Sequence, residues 1–475
     1  MDKLKRSVVL LILSIVLAIA FAILFVSIDV HGNRFIRLAV LAAFIFQLIQ
    51  VFYMYSRVRK SKKGKERITK FTFIGMVFKW VVGIKKTLGM SELFGIVACG
   101  IILSSCSMLR GYRADGLDGP GIFSFEHHVH DTIPNGDQMF QFKVAESRAD
   151  WIDTLHFYND PPHCINQTFP EAMANKSATQ GIMIIHDDNI VYEIYRGDFT
   201  ADRLATVFSV SKSITSLLCG IAVDEGYIES IDDPVTKYLP ELKGKDPRWE
   251  MLTIRYLLCM FSGLDFDDEY DFNIKALKAV NAIARLNYGH NLMKQIRGLK
   301  FRCDPGTKFH YESMTTAILG VVIERATGRH YAEYLSEKVW KPLQMESVAL
   351  INIDSRKHCV AHAFGGITCT LKDLAKIGRL YLNNGMWDGK RIVSEEWIHR
   401  TTDFYPGSSY RYSWYDVRFE GFEIGQYPGF YAIGIYNQVL YINPHKKLIM
   451  VRIGADNIGW ATIPEVFEQL SNIWP

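Results

Sequence analysis

The hydrophobic positions divide the chain into an N-terminal part of long apolar runs and a C-terminal part of short, patterned segments. Residues 8–28, 38–55 and 93–109 carry no charged residue. Crossing a bilayer takes about 20 apolar residues, with about 17 as the lower limit. We therefore expect three membrane spans at these positions. A fourth apolar stretch, 71–84, carries Lys79 in its middle and fits an interfacial helix better than a span.

The basic residues predict how these spans are oriented. The segment 57–70 holds eight basic residues and one acid, Glu66. Such loops stay in the cytoplasm, so three crossings place everything after about residue 110 outside it. If 71–84 also crossed the membrane, the C-terminal part would face the cytoplasm. We thus expect a multi-pass membrane protein in contact with lipid through residues 1–110, with an extracytoplasmic domain.

The tetrapeptide LSSC at 103–106 resembles a bacterial lipoprotein cleavage box. That box usually stands near a chain's start, whereas two predicted spans precede it here. A small-residue patch inside a span is the favoured interpretation, and lipidation of Cys106 stays an open alternative.

Beyond about residue 176 the pattern becomes that of a folded domain. Two β-rich runs surround the turn at 186–189, and two more surround the turn at 443–446. Each pair predicts an antiparallel hairpin. We predict an α/β (α+β) domain at 176–475, with one antiparallel sheet flanked by helices, a mainly helical insertion at about 229–360 and a closing helix at 463–473. Residues 111–175, rich in Gly, Asp, His and Pro, are interpreted as a linker or extension.

Charge and cysteine content narrow the classes of partner. The chain has 475 residues and a net charge of +4, and 57–70 alone contributes +7, so the rest is slightly acidic. A nucleic-acid surface is therefore not expected. The eight cysteines contain no CxxC pair, which is typical of neither a zinc site nor a dense disulfide framework. The motif EHHVHD at 126–131 lacks further ligands at helical spacing, so we expect no metal and no cofactor.

Candidate chemistry begins at Ser209. Residues 211–224 predict a helix with one apolar face, which puts Ser209 at its N-terminus and Lys212 one turn further on. Residues three apart on a helix share a face, so the amine can reach the hydroxyl. Burial disfavours the charged form of lysine, and a neutral amine can take the proton of a serine nucleophile. This is the S-x-x-K arrangement, which carries little weight alone.

Four ordered segments give that motif its context. They resemble landmarks of the class C β-lactamase-related serine hydrolases. Within that family they look most like the 6-aminohexanoate-dimer hydrolase-like and esterase-like members. The likeness runs from about Gly181 to the C-terminus. The segments are FSVSKSITSLLCGIAVDEGYIESIDDPVTKYLPEL, LTIRYLLCMFSGLDFDDE, PGTKFHYESMTTAILGVVIERATG and GGITCTLKDLAKIGRLYLNNGMWDGKRIVSEEW.

The resemblance implies a role for each matching residue. Ser209 matches the nucleophile and Lys212 its lysine partner. Tyr311 matches the tyrosine of the Tyr-x-Asn/Ser motif, which would relay protons to the leaving group and to water. Ser313 stands where many members carry Asn, and Glu312 beside it could favour a cationic group of the substrate.

The third motif departs from the family pattern. Lys-Thr-Gly or His-x-Gly is usual, and the matching place here is Ala432-Ile433-Gly434. Gly434 would let the backbone approach the substrate, and the N–H groups of Ile435 and Ser209 would form the oxyanion hole. Gln438 completes the predicted substrate-binding set of Glu312, Ser313, Gly434 and Gln438. With no cation at Ala432, efficient β-lactam hydrolysis is not expected.

We expect a membrane-anchored serine hydrolase that acts through an acyl-enzyme on an ester, amide or short-peptide substrate. Transfer of the acyl group to a cell-envelope polymer would use the same residues. A ligand sensor with a hydrolase-like domain is the alternative from another class. The sequence does not determine the natural substrate or the oligomeric state.

Overall fold

The computed structural model describes residues 106–115, 119–157, 167–174, 179–268, 277–404, 409–417, 428–455 and 463–475. The basic loop, the segment 71–84 and the predicted spans lie outside these ranges, except for residues 106–109, which begin a helix. Within the described ranges, no helix has both the length and the apolar character needed to cross a membrane. The spans remain predictions.

The strands of the described residues are short at the edges and longest at the centre of the main sheet. In chain order they are β1 His130–Ile133, β2 Lys143–Val144, β3 His156–Phe157, β4 Gln167–Thr168, β5 Thr179–His186, β6 Asn189–Tyr195, β7 Ala205–Thr206, β8 Ala349–Asn352, β9 Ile367–Cys369, β10 Met386–Trp387, β11 Lys390–Arg391, β12 Tyr410–Arg411, β13 Trp414–Asp416, β14 Phe430–Gly434, β15 Gln438–Asn443 and β16 Leu448–Gly454.

The α-helices lie mainly between β7 and β12. In chain order they are α1 Cys106–Asp115, α2 Phe169–Ala174, α3 Val210–Asp224, α4 Arg248–Met251, α5 Ile254–Leu258, α6 Leu277–Tyr288, α7 Leu292–Ile296, α8 Ser313–Thr327, α9 Tyr331–Leu335, α10 Leu371–Leu382, α11 Glu395–Thr402 and α12 Ile463–Asn472. Short 3₁₀ helices include Ser124–His127 and Ile435–Asn437.

The main sheet joins the two predicted hairpins. Its strand order is β12-β13-β14-β15-β16-β5-β6-β2. Strand β16 of the C-terminal hairpin pairs with β5 of the N-terminal one, with Met450 opposite Ile184. All neighbours are antiparallel except β2 and β6, which run parallel. The predicted antiparallel sheet is therefore confirmed.

Both faces of this sheet are buried. Along β5, Met183 and Ile185 belong to one apolar cluster, whereas Ile182 and Ile184 belong to another, because successive side chains of a strand point to opposite faces. Helix α12 covers the second face through Phe467 and its neighbours. Helices α3 and α10 cover the first, so the helix that carries the S-x-x-K motif packs directly on the sheet.

The segment 119–157 belongs to the folded domain and is not the linker that its composition indicated. Strand β1 pairs with β8, and β2 extends the main sheet. Ile133 and Ile152 are fully buried. The strands that pair with β1 and β2 lie far away in the sequence, which is why local composition could not reveal these pairings. The predicted insertion at 229–360 contains helices α4–α9, with β8 as its strand.

Gly378 allows helix α10 to lie close to the sheet. A Cβ atom at this position would stand 2.7 Å from Ile449 Cγ2. We expect Gly378→Ala to lower the free energy of unfolding by about 1–3 kcal/mol, because an overpacked core must shift. Urea unfolding of the two proteins measures this difference. Gly136→Ala is the matched control, since its nearest atom would lie at 3.6 Å; equal losses for both variants would contradict the prediction.

Candidate active site

Ser209 stands at a strained turn between an extended segment and helix α3. Phe208 has a φ of 45°, which lies in the left-handed region that favours glycine. Its ring packs edge-on against Tyr436, with centroids 5.6 Å apart. Backbone strain of this kind persists only where the surroundings enforce it. The turn places Ser209 directly before Val210, the first residue of α3.

Lys212 is buried and makes three hydrogen bonds. Only 2% of the surface of Lys212 is exposed to solvent. Nζ lies 2.8 Å from Ser209 Oγ, 3.0 Å from Ser313 Oγ and 2.8 Å from the carbonyl oxygen of Phe364. The structure thus brings the predicted nucleophile and its lysine partner into direct contact, as the spacing in the sequence predicted.

The partners of Lys212 decide which way its protons point. The Phe364 carbonyl can only accept. Ser313 donates its hydroxyl proton to Asp268 Oδ2 at 2.5 Å, so towards Lys212 it also accepts. A neutral amine has two protons and one lone pair. As an ammonium, Lys212 donates to all three oxygens. In a neutral form both protons would go to Ser313 and Phe364, and the lone pair would face Ser209 Oγ, as a general base for Ser209 requires.

Tyr311 lies against the same amine through its ring. The ring centroid is 5.1 Å from Lys212 Nζ, within the range of a cation–π contact. Its hydroxyl interacts with the side chain of Tyr415, and its ring meets that of Tyr410 edge-on at 6.0 Å. The tyrosine ring therefore lies beside the Lys212 amine, and its hydroxyl is hydrogen-bonded to Tyr415 in this conformation.

Gly434 brings the end of strand β14 against the nucleophile turn. A Cβ atom there would lie 2.5 Å from the Val207 carbonyl oxygen and 3.0 Å from the Ser209 nitrogen. Only glycine permits this approach. Ile435, the next residue, lines the same cavity as Ser209. The two residues whose N–H groups were predicted to form the oxyanion hole are therefore neighbours.

The turn after Gly434 is fixed by buried polar groups. Tyr436 and Asn437 both have positive φ, 65° and 56°. Arg452, fully buried on β16, donates from Nη1 to both of their carbonyl oxygens, at 2.7 and 2.8 Å. Burial lowers the pKa of this guanidinium. The side-chain amide of Gln438 donates to the carbonyl oxygens of Gly454 and Ile435 and accepts a hydrogen bond from the Gly454 N–H. Gln438 was predicted to bind substrate, but its polar atoms are hydrogen-bonded to the main chain.

Glu312 and Ser313 are placed differently. The Ser313 side chain faces Lys212, and its backbone N–H donates to Asp268. Glu312 is fully buried and contacts Ser262 Oγ. Burial raises the pKa of the Glu312 carboxyl to about 8 and the nearby Asp268 adds to this, although the Ser262 hydrogen bond and Arg302 oppose it. Glu312, predicted to favour a cationic substrate group, does not reach the cavity beside Ser209.

That cavity contains groups that the sequence did not single out. It is a small cavity, with a volume of about 30 Å³. Ser209, Ser313 and Ile435 line one part of it. Ser124, His128, Asn287 and Asn352 line another. These residues, like Asp268 and the Phe364 carbonyl, come from distant segments, and no local motif marks them. His128 is part of EHHVHD, for which the sequence predicted neither a metal site nor another role.

Comparison with known proteins agrees with this geometry. The Beta-lactamase family model matches residues 165–456, more than half of the chain. The chain belongs to the Beta-lactamase family. Its fold is the β-lactamase/transpeptidase-like α/β fold, as the resemblance of its motifs implied.

Its relatives in this family include hydrolases. The 6-aminohexanoate-dimer hydrolase of Paenarthrobacter ureafaciens is 28% identical over 308 residues, which cover 60% of this chain and 74% of that protein. Protein flp of Staphylococcus aureus (strain MW2) is 29% identical over 166 residues, 34% of this chain and 31% of flp. A solved structure described as a putative 6-aminohexanoate-dimer hydrolase from Bacillus anthracis has a TM-score of 0.62 at 21% identity, covering 77% and 92% of the two chains.

Gly434 offers a test of the predicted oxyanion hole. We expect Gly434→Ala to reduce esterase turnover about 10²- to 10³-fold, the usual cost of losing one donor, because the added methyl group displaces the turn from Ser209. Steady-state kinetics with p-nitrophenyl acetate measure the loss. Gly136→Ala is the control, since the nearest atom to its Cβ position would lie at 3.6 Å; a Gly434→Ala enzyme of unchanged turnover would contradict the assignment.

Glu312 predicts a pH dependence of stability. Its carboxyl holds a proton up to about pH 8 when folded, against an ordinary value of 4.5. Between these values only the unfolded chain releases the proton, so the free energy of unfolding should fall as pH rises, by up to about 1.4 kcal/mol per pH unit. Below pH 4.5 and above about pH 8, the contribution of Glu312 to the free energy of unfolding no longer changes with pH.

Urea unfolding of wild type and Glu312→Gln at pH 5, 6.5 and 8 tests this. We expect the variant to lack the loss of stability that the wild type shows across the window. Glu333→Gln, at an exposed position, should behave as the wild type. Parallel curves for wild type and Glu312→Gln would show that Glu312 does not titrate as inferred.

Proposed function

We propose that this member of the Beta-lactamase family is a membrane-anchored serine hydrolase that works through an acyl-enzyme outside the cytoplasm. The contact of Lys212 Nζ with Ser209 Oγ at 2.8 Å carries the proposal. Lys212 takes the proton of Ser209 as its oxygen attacks a substrate carbonyl. The N–H groups of Ser209 and Ile435 stabilise the oxyanion, and water releases the acyl group.

Tyr311 is the second proton carrier in this scheme. Its ring lies 5.1 Å from the Lys212 amine, which places it next to the proposed general base. Protonation of the leaving group, and later activation of water, are the steps that we assign to Tyr311.

Esters, amides and short peptides are the substrate classes that we propose. The name of the Paenarthrobacter relative describes a hydrolase of a 6-aminohexanoate dimer, which supports hydrolysis of a small substrate. Ala432 occupies the place of the usual cation of the third motif, and its side chain is buried in the core. Recognition of a β-lactam carboxylate from this position is therefore not expected.

Substitution of the three proposed catalytic residues tests the mechanism. We expect Ser209→Ala to abolish labelling by a fluorophosphonate probe and turnover of p-nitrophenyl esters. Lys212→Ala and Tyr311→Phe should each lose about 10²- to 10⁴-fold in kcat, as is typical when an acid–base group is removed. The exposed Lys243→Ala serves as the control. A Lys212→Ala enzyme with wild-type turnover would refute the role of Lys212.

The fate of the acyl-enzyme separates hydrolysis from the other two interpretations. A hydrolase returns Ser209 to its free form within a turnover. A ligand sensor would keep the acyl group, seen by mass spectrometry as a lasting mass increase on Ser209. A transacylase would release the acyl group faster when an alcohol or amine acceptor is added.

A further inference from the structure

The cavity beside Ser209 has a second wall that takes no part in the proton transfers above. Ser124, His128, Asn287 and Asn352 form it. Ser124 and His128 belong to the segment 119–157, which precedes strand β5, and Asn352 is the last residue of strand β8. Among the described residues that line this cavity none is a lysine or arginine. The wall is therefore polar but offers no cation to a substrate carboxylate.

The orientation of His128 is set by Asp115. Nε2 of His128 lies 3.0 Å from Asp115 Oδ2, and the side chains are 11% and 1% exposed. The hydroxyl of Tyr288 donates to the same carboxylate oxygen at 2.6 Å. Hydrogen bonds from His128, Ser124 and Tyr288 outweigh the effect of burial and lower the pKa of Asp115. An ionised carboxylate only accepts, so Nε2 of His128 carries the proton.

This tautomer in turn orients the amide of Asn352. With Nε2–H directed at Asp115, Nδ1 is the ring nitrogen that faces Asn352. It lies 3.5 Å from Asn352 Nδ2, a long contact in which the amide nitrogen is turned towards the ring. Oδ1 is left without a partner among the described residues, although Asn352 is only 8% exposed. A buried acceptor without a donor is costly, and Asn352 is one of the residues that line the cavity beside Ser209.

We propose that Asn352 Oδ1, oriented by His128 and Asp115, is a substrate subsite that accepts a hydrogen bond from an N–H group. An N–H group suits it because Oδ1 accepts and has no donor among the described residues. The donor is an amide N–H or an ammonium of the acyl part. This inference rests on the proposed hydrolase function and adds the chemistry of its substrate.

Matched substrates test the subsite. The p-nitrophenyl esters of N-acetylglycine and levulinic acid differ only by NH in place of CH₂, and those of β-alanine and butanoic acid compare an ammonium with a methyl group. We expect full-length wild type to prefer at least one N–H ester over its partner by about tenfold in kcat/KM. The pair that shows the preference identifies the donor. Equal values in both pairs overturn the proposal.

Three variants test whether this preference for an N–H ester depends on Asn352 and His128. Asn352→Leu removes the acceptor and His128→Leu removes the group that orients it. Both should bring the ratio of the two esters towards one while the levulinyl and butanoyl esters are still hydrolysed. His127→Leu changes the exposed neighbour in the same motif and should keep the wild-type ratio. Labelling of Ser209 by a fluorophosphonate verifies that each variant is folded. A preference that survives Asn352→Leu contradicts the proposal.

Binding separates failure of the subsite from failure of the catalytic assignment. In Ser209→Ala, calorimetric titration compares the unreactive amides, N-acetylglycinamide with levulinamide and β-alaninamide with butanamide. About tenfold tighter binding of one N–H ligand, lost on adding Asn352→Leu, supports the subsite even if no ester is hydrolysed. Equal binding within both pairs overturns it, even if Ser209 proves to be the nucleophile.

Discussion

A buried lysine amine surrounded by three oxygens is the interaction on which the site depends. Placing an ammonium away from water is expensive unless each proton has an acceptor, and here the acceptors leave no proton for Ser209 once the amine is neutral. Each oxygen is positioned by a different part of the fold. Phe208 and the start of α3 place Ser209, and Asp268 orients Ser313. The Phe364 carbonyl comes from the loop before β9. The contact between Lys212 and Ser209 is therefore a product of tertiary structure, although the two residues are only three positions apart.

A second buried cation organises the opposite side of Ser209. Arg452 has no carboxylate partner among its described contacts and instead binds carbonyl oxygens of the left-handed turn that follows Ile435. Gly454 leaves room for this guanidinium, since a Cβ atom there would lie 2.1 Å from Arg452 Nη1. The family's usual cation at Ala432 is absent, and a charge behind the turn stabilises the backbone that the oxyanion hole needs. In this protein, cationic side chains hold backbone and hydroxyl oxygens in place.

What the sequence could predict follows from the range of each interaction. The hairpins, α3 and the closing helix arise from local periodicity, and the Ser209–Lys212 pair from a three-residue spacing on one helix face. Glu312 and Gln438 were assigned to substrate from their neighbours in sequence, but their side chains turn into the protein, towards Ser262 and Gly454. The segment 111–175 was interpreted as a linker or extension from its Gly, Asp, His and Pro content, because the strands within 119–157 are too short to show a pattern and their partners are distant: His130 pairs with Asn352. No periodicity records such contacts.

The same long-range contacts couple helix α1 to the cavity beside Ser209. Gly111 packs so closely on Tyr288 that a Cβ atom would lie 2.6 Å from its ring. This contact sets Tyr288 against Asp115, and Asp115 holds His128 at the cavity wall. Helix α1 begins at Cys106, within the last predicted span, 93–109. The segment that leads from the predicted membrane region into the hydrolase domain is thus also a structural support of the cavity. A fragment that begins after Asp115 would keep Ser209, Lys212 and Tyr311 but lose the carboxylate that fixes the tautomer of His128, so loss of substrate selectivity in such a fragment would not indicate a damaged catalytic centre.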